Sequence, residues 1–235
     1  MPRLPVSPDA GPVETSGPAA RRRGDFVVVL VLLSLSYVLY AATPSGLVQA
    51  VVALLYLAAA AFAFRSAEPT PRQRRALWVT GVFAVVVVGV AWLAASPRVA
   101  QAVASASIAL VLLITLVAVL TSVTRQPEVT GQSIAGALSA YLLLGMMYGA
   151  LYGMLARFGT EPFFASGEAG DVRSFQYFSF ITLTTTGYGD LVPGSHAGRG
   201  LAALEALTGQ VFLATLVAAL VAAYRRPARR HPPSE

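Results

Sequence analysis

Apolar and polar residues along this chain alternate in long blocks, not at the period of a strand or of a half-buried helix. Residues 26–42, 47–64, 76–95, 99–123, 133–155 and 200–224 are nearly unbroken apolar runs. An α-helix rises 1.5 Å per residue, so a run of about 20 residues crosses the ~30 Å hydrocarbon core of a bilayer. Six runs predict an all-α membrane protein with six transmembrane helices. The first run is short for a crossing. A further apolar stretch, residues 174–184, is too short to cross and is expected to enter the membrane and return.

The polar blocks divide the chain. Residues 1–24 hold five prolines with Gly, Ser and Thr, and no periodic apolar residue, which predicts a disordered tail ending at Arg21, Arg22 and Arg23. With the apolar run that follows, this basic end also resembles a signal peptide, although a tail of that length before it argues against cleavage. Thr43, Pro44, Ser45 and Gly46 read as a turn, residues 65–75 as a polar loop, and Ser96, Pro97 and Arg98 as a tight turn. The expected organisation is a tail at 1–24, a four-helix region at 25–123 and a linker at 124–132. A pore-forming unit at 133–225 and a tail at 226–235 complete it. Trp78 and Trp92 sit near the two ends of the third run, where indole rings favour the headgroup interface.

The composition agrees with a membrane chain: 235 residues, 56% hydrophobic, 12% charged, and a mean hydropathy of +0.66. Cysteine is absent, which removes disulfides and thiolate metal sites. The net charge of +6 comes entirely from arginine. Counted along six spans, 13 of the 17 arginines share one side with both ends of the chain, leaving Arg98, Arg157, Arg173 and Arg199 on the other. The positive-inside rule then makes both termini cytoplasmic in a multi-pass protein of the cell membrane. The arginine clusters read equally as orientation anchors or as binders of anionic lipid. Nucleic acid is not an expected partner. The fourth run has no basic residue between Arg98 and Arg125, so a row of gating charges is missing.

Residues 184–190 read T-T-T-G-Y-G-D. Gly187 and Gly189 flank Tyr188, and glycine enters the left-handed backbone region without the steric cost other residues meet. A backbone alternating between right- and left-handed geometry can turn successive carbonyl oxygens to one side. A row of such oxygens can replace the water around a cation.

The segment Thr185-Thr186-Gly187-Tyr188-Gly189, followed by Asp190, resembles the selectivity filter of potassium channels, with Thr186 where that family usually has Val. The resemblance covers residues 133–224 strongly and the earlier part weakly. It implies K+ coordination by the carbonyls of Thr185, Thr186, Gly187 and Tyr188, with the Thr185 hydroxyl at the innermost site. One chain holds one filter loop, so the resemblance implies a homotetramer. Residues 174–184 become a pore helix whose C-terminal dipole end favours a cation. Tyr177 and Phe178 match the aromatic pair that packs around the filter, and Thr184 supports it from behind. Asp190 raises cation concentration at the mouth, holds the loop by a hydrogen bond, or both. Some relatives brace this aspartate with a buried glutamate; Ile181 stands at that position here, so a carboxylate brace is expected to be missing. Gly209, in the last run, is a candidate hinge and equally a site of close helix packing. Glu205 is an ionisable group inside that run, with Arg199 as a conceivable partner. His196 is expected in a solvated loop near the outer mouth.

Function reduces to a few classes. The leading one is a potassium-selective channel with weak voltage dependence and no cofactor, K+ being the permeant ion. The alternatives are a non-conducting membrane subunit or sensor on the same fold, and a less selective cation channel. An enzyme is not expected, because paired intramembrane carboxylates, a Ser-His-Asp set and Cys-His ligands are missing from the sequence.

Overall fold

The structure is a computed structural model and describes residues 25–42, 97–126, 129–159, 161–168 and 170–224, with isolated helical positions between 51 and 89. Five helices have defined bounds: α1 (Asp25–Ala42), α2 (Pro97–Thr124), α3 (Gly131–Phe158), α4 (Val172–Leu183) and α5 (His196–Tyr224). The described residues contain no strand beyond one isolated bridge, Phe164 with Pro193.

Pro97 opens α2, where its missing N–H costs nothing because first-turn donors have no helical partner. The helix satisfies its own hydroxyls: Ser107 and Thr115 donate to the carbonyls of Val103 and Val111 at 2.8 Å. In an apolar medium such back-bonding removes an otherwise unpaired donor. A short connection then turns the chain into α3. Thr130 caps α3 reciprocally with Ser133: each side-chain oxygen accepts the other's backbone N–H, at 3.3 and 3.2 Å. The brevity of the turn makes α2 and α3 an antiparallel hairpin.

Helix α3 is the centre of the molecule, with α1, α2, α4 and α5 all packed against it. One contiguous core joins Val29 and Leu33 of α1, Leu116 and Val119 of α2, Leu143, Met146 and Tyr152 of α3, and Phe175, Phe178 and Leu183 of α4. It crosses the expected boundary at 124–132. Helix α1 is apolar all round, burying Phe26, Val29 and Leu33 while Val27, Val31, Leu35 and Val38 stay exposed. That is the pattern of a helix with protein on one side and lipid on the other. It also reaches α4, where the Tyr37 ring meets Phe180 edge-on at 4.7 Å. Gly145 lets α3 and α4 close together: a Cβ there would lie 2.6 Å from the Phe180 ring.

Three described helical segments, Gln101–Thr124, Gly131–Phe158 and His196–Ala222, are long and apolar enough to cross a membrane. The apolar part of α1, Phe26–Leu39, is shorter. The six-span expectation is thus met at three helices, while the runs at 47–64 and 76–95 and both tails lie outside the described residues, apart from isolated positions. Among those positions, Arg65, Pro71 and Arg75 are helical, not in a polar loop. Arginine is a good helix former, and a proline is tolerated in a first helical turn, so a helix can extend past its apolar run. Trp78 is exposed, as an interfacial indole would be. His196 is the first residue of α5, so it is not a loop histidine.

Replacing Gly145 by Val should push Phe180 away and part α3 from α4. Overpacking of this kind costs about 1–3 kcal/mol. Thermal unfolding of the detergent-purified variant should fall below that of the unaltered protein, and an equal midpoint would contradict the close contact.

Candidate functional site

The site begins with the cap of α4. The Asp171 carboxylate accepts the Ser174 backbone N–H at 2.8 Å and the Ser174 hydroxyl at 3.0 Å. Partial burial works to raise the Asp171 carboxyl, but the bonds from Ser174 and the nearby Arg173 outweigh it and hold it below the usual carboxylate range. A depressed carboxylate contributes its stability above its unfolded value and loses it as pH falls through the lowered one. The cap therefore survives moderate acid.

Helix α4 buries Phe175, Phe178, Ser179, Ile181 and Leu183. At its first half Tyr152, Phe163, Phe164, Phe175 and Phe178 form a cluster of mostly edge-to-face rings, with Tyr152 and Phe178 4.9 Å apart. The loop behind these rings is sewn to the segment after residue 190, since Ala165 N–H donates to Val192 O and Gly194 N–H to Phe163 O, both at 2.9 Å.

Past α4 the backbone alternates. Thr185 has φ +56°, Gly187 +51° and Gly189 +81°, whereas Thr186 and Tyr188 between them are not left-handed. The N–H groups are spent on the last turn of the helix. Thr185 donates to Thr182 O at 2.9 Å, and Thr186 and Gly187 both donate to Ile181 O, at 2.8 and 3.1 Å. None of the described hydrogen bonds ends on the carbonyl of Thr185, Thr186, Gly187 or Tyr188. All of residues 184–190 are exposed, Tyr188 at 72%. Four successive carbonyls thus accept none of the described hydrogen bonds, while three of the neighbouring N–H groups are tied to the end of α4.

Thr185 pays for its left-handed conformation, roughly 1–2 kcal/mol for a residue with a Cβ. Two contacts hold it there: its hydroxyl donates to Thr184 O at 2.7 Å and accepts from Gln210 Nε2 at 2.8 Å. The Thr184 and Thr186 hydroxyls lie 2.9 Å apart behind the strand, and Thr184 also donates to Phe180 O.

At the far end of the segment Asp190 Oδ2 accepts from the Tyr177 hydroxyl at 2.8 Å. The expected gap behind Asp190 is therefore filled by a phenol, and Tyr177 braces the loop in addition to packing beside it. Phe178 is buried in the ring cluster. Glu205 does not meet Arg199, whose Nε donates to Pro193 O at 3.1 Å. Its carboxyl lies instead between the hydroxyls of Tyr152 and Ser179. A Cβ on Gly209 would lie 2.1 Å from the Leu183 carbonyl oxygen, so α5 rests directly on the end of α4. The Tyr141 hydroxyl also reaches Leu183 O, at 3.2 Å.

Sequence reading missed Gln210, Tyr141, Tyr152 and Ser179. Gln210 carried one signal, an amide inside an apolar run. The others are ordinary residues on apolar helices and carried none. Among the described residues no cluster of His, Cys, Asp or Glu could hold a metal ion.

Residues 137–226 match the family model described as an ion channel. The match takes in most of α3, all of α4, the alternating strand and α5. It supports an ion channel domain in this part of a helical membrane protein. No curated protein and no solved structure matches the chain.

Gly209→Ala should separate α5 from the backbone at Leu183 and disturb the strand that follows. The obstacle is main chain and cannot swing aside, so the loss should exceed the roughly 1 kcal/mol that separates Gly from Ala on helix propensity in the opposite direction. A variant as thermally stable as the original would refute the close approach.

Proposed function

We propose that this chain is one subunit of a potassium-selective channel in which four copies gather their 185–188 carbonyls around a common axis. The observation behind this is the alternating strand with its donors tied back to α4 and its carbonyls unengaged. In water such carbonyls are solvated; around a pore they replace the hydration shell of a dehydrated cation. Each ring takes one oxygen per subunit from Thr185, Thr186, Gly187 and Tyr188, and the Thr185 hydroxyl lines the inner end. Asp190 concentrates cations at the mouth.

A single subunit leaves both the strand and one apolar face of α5 exposed, including Leu204, Leu207 and Val211. Neighbouring subunits would cover them, which favours a closed symmetric assembly. Both termini lie on the cytoplasmic side, and the arginines flanking the apolar runs face anionic lipid. Gly209 serves close packing at rest, and any hinge role would require it to leave Leu183. Helix α2 has Arg98 at its start and no other basic residue through Thr124, so the pore responds weakly to voltage.

Purified protein in liposomes should pass K+ in strong preference to Na+, with a shallow dependence on potential. Gly187→Ala places a Cβ on a residue with φ +51°. It should lose that preference while the assembled mass is kept. Equal K+ and Na+ permeability in the unaltered protein, or unchanged preference in the variant, would refute the filter.

A further inference from the structure

Three oxygen–oxygen contacts run in series through Glu205. Tyr152 Oη lies 2.5 Å from Glu205 Oε2, Glu205 Oε1 meets Ser179 Oγ, and Ser179 Oγ lies 2.6 Å from the Gly145 carbonyl oxygen. Two oxygens this close need a hydrogen between them. Tyr152 supplies one and Ser179 supplies one. A main-chain carbonyl supplies none, and neither does an ionised carboxylate. The single Ser179 hydrogen cannot serve both Gly145 and Glu205. Three contacts with two hydroxyl hydrogens are one hydrogen short.

We infer that Glu205 carries the missing hydrogen as a neutral carboxylic acid that clasps α3, α4 and α5 together. Its O–H donates to Ser179 Oγ, its carbonyl oxygen accepts from Tyr152, and Ser179 donates onward to Gly145. The surroundings agree. Glu205 is fully buried, and the arginines on the packed helices have contacts elsewhere. Arg157 of α3 reaches Gln101 and the Gly153 carbonyl, Arg173 of α4 acts on Asp171, and Arg199 of α5 reaches Pro193. Tyr148 is taken by Thr208, 3.2 Å away, whose own hydrogen goes to Leu204 O. A buried charge with no cation beside it is costly, whereas a buried acid with both oxygens bonded is not.

The clasp gives Glu205 a positioning role. Ser179 lies two residues before Ile181, whose carbonyl takes the N–H groups of both Thr186 and Gly187. Fixing α4 at Ser179 fixes the acceptor that orients the carbonyl row. This role rests on the channel reading above; the hydrogen count does not.

The test uses the full chain, purified and reconstituted. Glutamine mimics the neutral acid, since its NH2 donates to Ser179 and its carbonyl accepts from Tyr152. Glu205→Gln should keep the K+ preference, whereas Glu205→Ala, which strands both hydroxyls, should lose it. Glu205→Gln as damaging as Glu205→Ala, or Glu205→Ala indistinguishable from the original, would overturn the clasp. Infrared spectra give a readout independent of flux. At neutral pH the unaltered protein should show a protonated-carboxyl C=O band that shifts on 13C labelling of glutamate and disappears in Glu205→Gln. If either variant fails to assemble, the band in the unaltered protein still decides, and its absence overturns the inference. An unaltered protein with the band but without ion flux would sink the channel reading and leave the neutral acid standing.

Discussion

Everything at this site follows from where three N–H groups go. A peptide strand has donors and acceptors on alternate sides, and in a sheet both find partners. Here the donors of Thr185, Thr186 and Gly187 are anchored to the carbonyls of Thr182 and Ile181 at the end of α4. Left-handed backbone at 185, 187 and 189 alternates with ordinary φ at 186 and 188, and the carbonyls of 185–188 accept none of the described hydrogen bonds. Glycine accepts that geometry at two of the three positions. At the third, Thr185 is held in it by hydroxyl bonds to Thr184 and Gln210. The strand is thus an extension of a helix end, and its shape is no more certain than the position of that helix.

The rest of the fold can be understood as the means of positioning α4. Its start is capped by Asp171, its first half lies in the aromatic cluster, Gly145 lets α3 approach, and Gly209 lets α5 abut its last residue. Tyr177 reaches forward to Asp190 and ties the far end of the strand to the same helix. The contact buried between the helices, from the Ser179 hydroxyl to the Gly145 carbonyl, cannot be exchanged for water, so leaving it unmade carries a desolvation penalty. Helix α4 is consequently restrained at its start, middle and end, and so is the segment that follows it.

The backbone turns of residues 185–189 were legible because they are local. Two glycines around one tyrosine permit left-handed backbone at 187 and 189, and both adopt it. Helix existence was legible from the apolar runs, with ends displaced by a few residues: α5 begins at His196 instead of 200, because a helix does not stop where its apolar face does. What was illegible is long-range. Tyr152 and Glu205 are separated by 53 positions, Tyr141 and Leu183 by 42, and Ser139 and the Phe26 carbonyl by 113. No spacing rule along the chain relates such pairs. The conceivable Glu205–Arg199 pair does not form either. The two were near in sequence, but α5 turns Glu205 toward α3 and α4 while Arg199 folds back on Pro193.

Gly209 shows how the two readings of one residue separate physically. A hinge glycine earns its place through backbone freedom, a packing glycine through the absence of a side chain. The Leu183 carbonyl occupies the space where a Cβ would stand, and this alone is enough to require glycine. A bend of α5 at this point would have to lift the helix from the end of α4, and with it the neighbouring Gln210 from Thr185. Bending here would therefore be coupled to the shape of the carbonyl row. Motion in the later part of α5, where Val217 and Val221 are exposed and these contacts are past, would leave that row undisturbed. The close contact at Gly209 thus divides the helix into a part that supports α4 and the segment after it and a later part that is past these contacts.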